Sequence, residues 1–359
     1  MKVCVIGDSL SGITLAKALV NQNIYVDVVS EKKSKKISKT RTIGISKSNI
    51  DFFNKNIINI EKFLWKLNKI EIYSENLKNE KLINFKNKYN HLFSIIRNHE
   101  LYQVLIKSLL KNKYFNRKLF FKKDLKFFDD YGIIINCDSS HPFSRKYFSK
   151  NLKKKYNSLA FTTIIKHKRI KNNIASQIFT KKGPLAFLPI SNTETSVVYS
   201  INKSNNVKKE NIEYLIQKYN LKYKINKIEK IVSFELSSLN LRNYSYKNIL
   251  AFGDLLHRVH PLAGQGFNMT IRDIKILLNL IKNRIDLGLS LDSSINDEFE
   301  KSLKHKNFIF SNGIDLIQEL FNIERKIKSN IFSKSTKYFF KIPAINKVVT
   351  KIADKGVLL

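Results

Sequence analysis

Residues 253–273 read GDLLHRVHPLAGQGFNMTIRD, and these residue types suit ligand binding better than core packing. The preceding segment NILAF, Asn248 to Phe252, predicts a short apolar strand. From about Gly266 onward, apolar residues at helical spacing predict a helix; they are Phe267, Ile271, Ile274 and Leu277. A strand therefore leads through a glycine-containing loop into a helix N-terminus, where backbone N–H groups can hold a negatively polarised group. A simple turn with two incidental histidines stays open for this segment alone.

The N-terminus carries a second, independent motif. An apolar run from Val3 to Ile6 precedes GDSLSG, which spans Gly7 to Gly12 and leads into residues with helical spacing. A second predicted strand, Ile24 to Val29, is followed by Glu31. This order is typical of a dinucleotide-binding βαβ unit, in which the turn receives the pyrophosphate and the acid hydrogen-bonds a ribose hydroxyl.

Ser9 stands where the fingerprint G-x-G-x-x-G has its middle glycine. We expect the backbone there to approach a phosphate, and the hydroxyl to donate to it. A plain βαβ core without a ligand is the alternative interpretation. A signal peptide is rejected, because Asp8 and two glycines interrupt the apolar stretch and a further strand continues the motif.

Together these motifs resemble the FAD-dependent aromatic-ring monooxygenases that are like p-hydroxybenzoate hydroxylase, and most closely the ubiquinone-biosynthesis hydroxylase family. That family's second FAD motif is similar to GDAAH..HP.AGQG.N.G..D, which this chain matches at Gly253, Asp254, His257, His260, Pro261, Ala263, Gly264, Gln265, Gly266, Asn268 and Asp273. The segment IASQIFTKKGPLAFLPI, Ile174 to Ile190, is similar to its substrate-domain signature. Arg41 and the segment Ile95 to Leu105 fall where the family has an FAD-contacting arginine and its next helix.

The resemblance implies an α/β fold, with a Rossmann-like FAD-binding domain interleaved with a mixed or antiparallel β-sheet substrate domain and a helical C-terminal tail. We expect the discontinuous FAD-binding domain in residues 1–68, 97–150 and 244–289, and the substrate domain in residues 69–96 and 151–243. Residues 290–359 form the expected helical region. The sheet would form the floor of the substrate site from the strand-like segments Ile70–Ser74, Leu82–Phe85, Ala160–His167 and Ser196–Ile201.

The resemblance also implies roles for individual residues. Gly7, Ser9 and Gly12 would line the pyrophosphate, Glu31 would bind the adenosine ribose, and Arg41 the phosphate or ribityl side. Asp254 would accept a hydrogen bond from the ribityl chain, and the turn from Pro261 to Asn268 would direct backbone N–H groups at the flavin pyrimidine ring. The full predicted cofactor set is Gly7, Ser9, Gly12, Glu31, Arg41, Asn98, Asp138, Gly253, Asp254, Pro261, Gly264, Gln265, Gly266 and Asn268.

Two histidines in the loop invite competing interpretations. His257 and His260 are three residues apart and could bind a metal, but no cluster of Cys, Asp or Glu completes a site, so no metal is predicted. Histidines in such a turn more often orient the loop through hydrogen bonds. Pro261 and His260 are the candidate catalytic residues, with His260 as a proton relay.

The middle motif of the family, A-D-G-x-x-S-x-x-R, corresponds here to CDSSHPFSR. Asp138 and Arg145 keep their spacing, whereas Ser139 replaces the glycine and Pro142 the serine. The family associates this motif with both FAD and the nicotinamide cofactor. The resemblance therefore implies NAD(P)H as co-substrate.

The function implied is hydroxylation of an aromatic ring of a polyprenylated phenol in ubiquinone biosynthesis, with FAD, NAD(P)H and dioxygen. A flavin-poor relative that serves as a scaffold in a membrane-associated quinone-biosynthesis complex stays open, because Ser9, Ser139 and the short stretch between Leu101 and Asp138 depart from the family. A flavin hydroxylase of a small soluble phenol is a third possibility.

The composition sets the outer limits of function. The formal net charge is +36, from 65 Lys and Arg against 29 acids. These charges are spread along the chain without a nucleic-acid module, which favours a solvated lysine-rich surface, then an anionic membrane, and last nucleic acid. Two cysteines, Cys4 and Cys137, suit a reducing compartment. We expect a cytoplasmic protein, with a peripheral position at the inner face of the cytoplasmic membrane as the alternative.

The tail bears on the membrane hypothesis. From residue 325 to residue 359 there are nine Lys or Arg and one acid, Asp354. One predicted helical face is apolar and another is basic, which is typical of an amphipathic helix on an anionic membrane. A helix whose apolar face packs on the core and whose basic face is exposed to solvent fits the same pattern. The apolar face comprises Ile345, Val348, Val349 and Ile352, and the basic face Lys347, Lys351 and Lys355.

Overall fold

The computed structural model describes residues 2–30, 38–77, 80–86, 91–119, 125–203, 210–327 and 331–357. The strands are β1 Lys2–Ile6, β2 Tyr25–Ser30, β3 Thr42–Ser46, β4 Trp65–Leu67, β5 Lys69–Ser74, β6 Glu80–Lys86, β7 Phe93–Arg97, β8 Phe115–Leu119, β9 Ile133–Asn136, β10 Asn151–His167, β11 Ile174–Thr180, β12 Gly183–Pro189, β13 Glu194–Asn202, β14 Ile225–Ile228, β15 Val232–Leu241, β16 Ser245–Tyr246, β17 Ile249–Ala251 and β18 His257–Arg258. The helices are α1 Leu10–Val20, α2 Lys47–Asn56, α3 Asn98–Leu109, α4 Pro142–Tyr147, α5 Glu210–Tyr219, α6 Gln265–Asp286, α7 Ser294–Lys326, α8 Ile331–Phe339 and α9 Pro343–Lys355.

The first sheet has the strand order β16-β17-β9-β1-β2-β8. Its strands are parallel except β16, which pairs antiparallel at one edge. Val3 to Ile6 in the middle of the sheet are buried on both faces, which explains why this strand is a continuous apolar run. Helix α1 follows β1 and is buried from Ser11 to Val20. The predicted strand–turn–helix–strand unit at the N-terminus is therefore present.

The second sheet is mixed and has the order β18-β15-β10-β13-β12-β11-β5-β6, with β14 paired to β10. Only β11 and β5 pair in parallel among its described strands. The four strand-like segments identified in the sequence lie in β5, β6, β10 and β13. The long strand β10 has a register shift between Lys155 and Leu159, where Asn157 has φ +50°. The predicted mixed sheet is confirmed.

A small third sheet has the strand order β3-β7-β4. Strand β3 contacts helix α6, and β7 leads directly into α3. Arg97 at the end of β7 donates to Glu194 of β13 at 2.5 Å. This ion pair joins the start of α3 to the second sheet.

The chain ends in helices, as predicted. Helix α7 packs on α6, and α8 packs along the edge strand β6. Phe321 of α7 stacks on Phe179 of β11, with ring centroids 3.5 Å apart. Within the described part of the chain, no helix is both long and apolar enough to span a membrane.

Candidate functional site

Three of the predicted motifs meet at one edge of the parallel sheet. Gly7 follows β1, Asp138 closely follows β9, and Gly253 closely follows β17. Gly7 has φ +97°, and a Cβ placed on it would lie 3.0 Å from Asp138 Cβ. Gly253 has φ +62°, and a Cβ there would lie 2.8 Å from Ser11 Cβ. The carboxyl ends of parallel strands are where ligands bind in this class of sheet.

The GDSLSG turn packs closely against its own helix. A Cβ on Gly12 would lie 2.2 Å from the carbonyl oxygen of Gly7, so only glycine fits there. Ser9 is the N-cap of α1, and its Oγ accepts a hydrogen bond from Gly12 N at 3.4 Å. The first turn of α1 contains no acidic residue. The positive end of the helix therefore faces the turn without a side-chain counter-charge from α1 itself.

The second glycine loop precedes helix α6. Gly264 adopts the left-handed conformation with φ +62°, and a Cβ on it would come 3.7 Å from Gly44 Cα of β3. No side chain caps the N-terminus of α6, which begins with Gln265 and Gly266. These backbone N–H groups are thus directed at the space where an anionic group would be stabilised.

Asn268 fixes this loop to strand β3. Its Nδ2 donates to Gly44 O at 2.9 Å and to Gly264 O at 3.0 Å. Its Oδ1 accepts from Ser46 N at 2.9 Å and from Asn49 Nδ2 at 2.8 Å. Because the amide is engaged within the chain on both sides, we interpret Asn268 as a residue that positions the loop.

Three further predicted residues, Arg41, Asn98 and Asp254, lie in the described part of the chain. Asn98 N donates to Arg41 O at 3.0 Å, while the buried Asn98 Oδ1 has no hydrogen-bond partner among the described residues. The Arg41 guanidinium lies 5.2 Å from the centre of the Phe234 ring. Asp254 is exposed beside Gly253. Glu31 lies outside the described residues.

The degenerate middle motif forms a self-contained turn. Asp138 Oδ1 accepts from Ser140 N at 2.8 Å and from Ser140 Oγ at 2.7 Å. Pro142 begins helix α4, and Arg145 is exposed on it. Ser144 donates to the carbonyl of Asp138 at 2.6 Å. With Ser139 and Pro142 in place, the turn is closed by its own hydrogen bonds and presents Asp138 next to Gly7.

The first loop histidine belongs to a buried network. His257 Nε2 lies 2.5 Å from Asp273 Oδ2, and both side chains are almost completely buried. Asp273 Oδ1 also accepts from Asn307 Nδ2 of α7 at 3.2 Å. His257 thereby ties the loop to α6 and α7, which is the orienting role that the sequence favoured over metal binding.

The second histidine is buried without any hydrogen bond to its ring. Neither ring nitrogen of His260 has a partner among the described residues, and its ring packs edge-on against Tyr156, 5.0 Å between centroids. Tyr156 donates in turn to Asp315 of α7, which also accepts from Ser238 Oγ at 3.0 Å. Burial lowers the pKa of His260 to about 4, so the ring is neutral at pH 7.

This burial predicts an acid-dependent loss of stability. The pKa of His260 in the folded chain, about 4, lies below its unfolded value of 6.5. The unfolded state therefore takes up a proton first as the pH falls, and the free energy of unfolding should drop by about 2 kcal/mol between pH 7 and 4.5. Urea unfolding of the wild type and of His260→Gln at both pH values measures the effect. Between the two pH values, His260→Gln should lose about 2 kcal/mol less unfolding free energy than the wild type. Equal losses in the two proteins would contradict the prediction.

Two parts of this site were not found from the sequence. Arg117 of β8 donates through Nη2 to Asp8 Oδ2 of the glycine turn at 2.5 Å, although the two residues are far apart in the chain. Tyr156 packs against His260 and donates to Asp315, and these three residues are likewise far apart in the chain. No spacing rule connects such residues, because they come together only through the packing of separate elements.

The geometry fits a dinucleotide such as FAD. Gly12 and Gly7 leave room for a close backbone approach, and two helices point uncapped or serine-capped N-termini at the site. The buried Asn98 Oδ1 is an acceptor with no partner in the described chain. These features match a negatively charged ligand that also carries hydroxyl groups.

The family model for squalene epoxidase matches residues 132–339, from strand β9 to the end of helix α8. The chain belongs to the squalene epoxidase family. This family contains FAD-dependent monooxygenases, and the matched range includes the Asp138 turn, the GPLAFLP strand and the Gly253 loop.

Curated relatives confirm the predicted resemblance to ubiquinone-biosynthesis hydroxylases. This family member is 28% identical over 148 residues to the 3-demethoxyubiquinol 3-hydroxylase of Escherichia coli K12, covering 39% of this chain and 38% of that protein. It is 22% identical over 273 residues to the mitochondrial ubiquinone biosynthesis monooxygenase COQ6 of Schizosaccharomyces pombe, covering 63% and 57%. The matched part thus spans less than two thirds of the length of these relatives.

Solved structures confirm the Rossmann-like fold of this squalene epoxidase family member. The p-nitrophenol 4-monooxygenase PnpA from Pseudomonas putida DLL-E4 superposes with a TM-score of 0.78 at 10% identity, covering 99% of this chain and 98% of that one. Klebsiella pneumoniae HpxO complexed with FAD and uric acid gives 0.77 at 11% identity, covering 99% and 97%.

Proposed function

We propose that this chain is an FAD-dependent monooxygenase that uses NAD(P)H and dioxygen to hydroxylate an aromatic ring in ubiquinone biosynthesis. The observation that carries the proposal is the meeting of Gly7, Asp138 and Gly253 at one edge of the parallel sheet. Membership of the squalene epoxidase family and similarity to ubiquinone-biosynthesis hydroxylases support it.

Each part of the site would hold one part of the cofactor. The GDSLSG turn would bind the pyrophosphate through backbone N–H groups, and exposed Asp254 would accept a hydroxyl hydrogen bond from the ribityl chain. The N-terminus of α6 would face the pyrimidine ring through Gly264, Gln265 and Gly266. FAD supplies the redox chemistry when bound, and the protein supplies orientation and electrostatics.

His260 is proposed to hold and pass a proton. Its ring is neutral at pH 7, and both Nδ1 and Nε2 are without partners among the described residues. A neutral imidazole can accept a proton at one nitrogen and donate one from the other. Its position directly before Pro261 places it at the start of the loop that would face the flavin.

We propose that the ring belongs to a polyprenylated phenol, in keeping with the ubiquinone-biosynthesis hydroxylases that the chain resembles. A buried apolar cluster packs the proposed flavin loop and α6 against β6, β11 and α7. Its members are Leu82, Ile83, Phe179, Val259, Leu262, Met269, Phe310, Ile314 and Phe321.

Replacement of Asp254 by alanine tests the cofactor assignment. We expect the purified Asp254→Ala protein to lose the yellow flavin absorption, because the site would lose a carboxylate that accepts a cofactor hydroxyl. Asp51→Ala, which removes an exposed carboxylate from α2, is the control and should keep the colour. Full flavin retention in Asp254→Ala would count heavily against the assignment.

The reaction itself needs two measurements. Wild-type protein should be yellow and should oxidise NAD(P)H when given a phenolic acceptor; colourless protein that resists FAD reconstitution would favour the scaffold alternative. Deletion of the gene should cause a quinone precursor to accumulate, and mass spectrometry would identify the ring position. Unchanged quinone content would refute the pathway assignment.

We further propose that the C-terminal helices bind an anionic membrane surface weakly. Leu316 of α7, Ile331 of α8 and Val348 of α9 are exposed by 60%, 71% and 56%, respectively, which is high for apolar side chains. Helix α9 also docks at one end, where Asp354 O accepts from Ser46 Oγ at 2.8 Å. The docked end of α9 fits the core-docking interpretation, and the exposed apolar side chains support the proposed membrane contact.

Charge reversal on α9 tests this proposal. We expect the triple variant Lys347→Glu, Lys351→Glu, Lys355→Glu to float with anionic liposomes at least about tenfold less than the wild type, because each lysine near such a surface contributes about 1 kcal/mol. Added salt should weaken wild-type binding. A variant with the same net charge is the control, with Lys111, Lys168 and Lys181, all exposed, changed to Glu. Equal flotation of the two variants would refute the proposal.

A further inference from the structure

The phosphate-binding turn carries its own negative charge. Asp8 lies directly between Gly7 and Ser9, so its carboxylate is beside the place where the dinucleotide pyrophosphate would bind. Two like charges at a separation of about 4 Å repel by about 1 kcal/mol even in water, and by more where water is partly excluded. An anionic turn is thus a poor receptor for a pyrophosphate unless a cation compensates it.

Arg117 supplies that cation from a distant strand. It lies on β8, where it is in register with Val28 of β2, and its Nη2 donates to Asp8 Oδ2 at 2.5 Å. Because β2 separates β1 from β8, this ion pair reaches across the carboxyl end of β2. That end is where the adenosine half of a dinucleotide lies in this class of fold.

Two neighbouring lysines among the described residues pair with a different carboxylate. Lys118 lies 2.8 Å from Asp27 Oδ2, and Lys2 lies 2.9 Å from the same oxygen. Tyr131 also donates to Asp27. The negative charge of Asp27 on β2 is thus balanced by these two lysines. Arg117, which precedes Lys118 on β8, pairs instead with Asp8 of the glycine turn. Both Arg117 and Asp8 side chains retain about a quarter of their exposure, so a ligand can reach them.

We propose that Arg117 binds the adenylate phosphate of the cofactor, and that Asp8 is its counter-ion until the cofactor arrives. A guanidinium has five N–H donors, and the contact to Asp8 uses one nitrogen, so its remaining donors can engage phosphate oxygens in a forked geometry. The phosphate then replaces the carboxylate as the main partner. This inference rests on the proposed FAD-binding function and names a phosphate ligand that the motif does not contain.

Cofactor titration of the full-length chain stripped of flavin tests the inference without an activity assay. Arg117→Gln should weaken the binding of FAD and of ADP by about tenfold to a hundredfold, which corresponds to the loss of charge-assisted hydrogen bonds. Riboflavin lacks the phosphates, so its affinity should not change. Lys113→Gln removes the same charge near the start of β8, beside Tyr114, and should leave all three affinities as in the wild type.

Asp8→Asn should change the affinity for FAD in the opposite direction. It preserves the shape of the side chain and removes the competing charge, so FAD should bind about three- to tenfold more tightly. Weaker FAD binding in Asp8→Asn would show that the ion pair keeps the glycine turn in shape, and it would overturn the inference. Wild-type affinity for FAD in Arg117→Gln would overturn it while leaving the proposed function intact. Failure of the wild type to bind FAD would overturn both.

Discussion

Replacement of Gly12 by alanine is expected to abolish flavin binding and to lower the free energy of unfolding by about 1–3 kcal/mol. The added Cβ would lie 2.2 Å from the Gly7 carbonyl oxygen and 3.6 Å from Cys137 Cβ. Backbone cannot rotate away as a flexible side chain can, so the turn and the start of α1 must separate. That shift would remove the pyrophosphate site. Flavin absorbance and urea unfolding of the purified variant measure the two effects.

Gly313→Ala is the matched control for this prediction. Gly313 lies in helix α7, and a Cβ there meets nothing within 4 Å. Alanine is favoured over glycine in a helix by about 1 kcal/mol, so this variant should be at least as stable as the wild type and should keep its flavin. A Gly12→Ala protein that is as yellow and as stable as Gly313→Ala would contradict the packing described for the turn.

Replacement of Asp273 by alanine is expected to cost about 3–5 kcal/mol of unfolding free energy. The change removes the partner of His257 Nε2 and the acceptor of Asn307, and both partners are buried. The unfolding free energy of an ordinary domain is only about 5–15 kcal/mol, so the expected loss is a large fraction of the total stability. Asp273→Asn keeps the side-chain shape and one acceptor, and should cost less. Chemical denaturation of both variants measures the difference.

The exposed Asp286 at the end of the same helix provides the control. Asp286→Ala should change the unfolding free energy by no more than about 0.5 kcal/mol, because an exposed carboxylate makes few contacts. If Asp273→Ala were as mild as Asp286→Ala, the buried His257 network would not hold the loop to α6 and α7. A double variant with His257→Gln should then show no coupling between the two sites.

Much of the fold could be predicted because the features that indicate it involve residues close together in the sequence. Val3 to Ile6 is an apolar run because a central parallel strand is buried on both faces. Gly7, Gly253 and Gly264 are glycines because each has positive φ, a property of one residue and its turn. The motif order along the chain then indicated which turns share one sheet edge.

The roles of single site residues were harder to predict. Asn268 belongs to the flavin motif, yet its amide is engaged by β3, α2 and its own loop. His257 and His260 look alike in the sequence, but the first is paired with Asp273, whereas the buried ring of the second has no hydrogen-bond partner in the described part of the chain. Motif membership identifies important positions and does not distinguish contact with a ligand from support of the loop.

The two glycine turns, the alternation of strands and helices around them, and hence the family of the chain can be recognised without coordinates. These properties follow from φ values, helix N-termini and apolar spacing, which neighbouring residues set. The pairing of charges emerges only from the folded chain: Arg117 pairs with Asp8, and Asp273 with His257 and Asn307. Such pairs join separate elements, and their geometry depends on packing that no local pattern records.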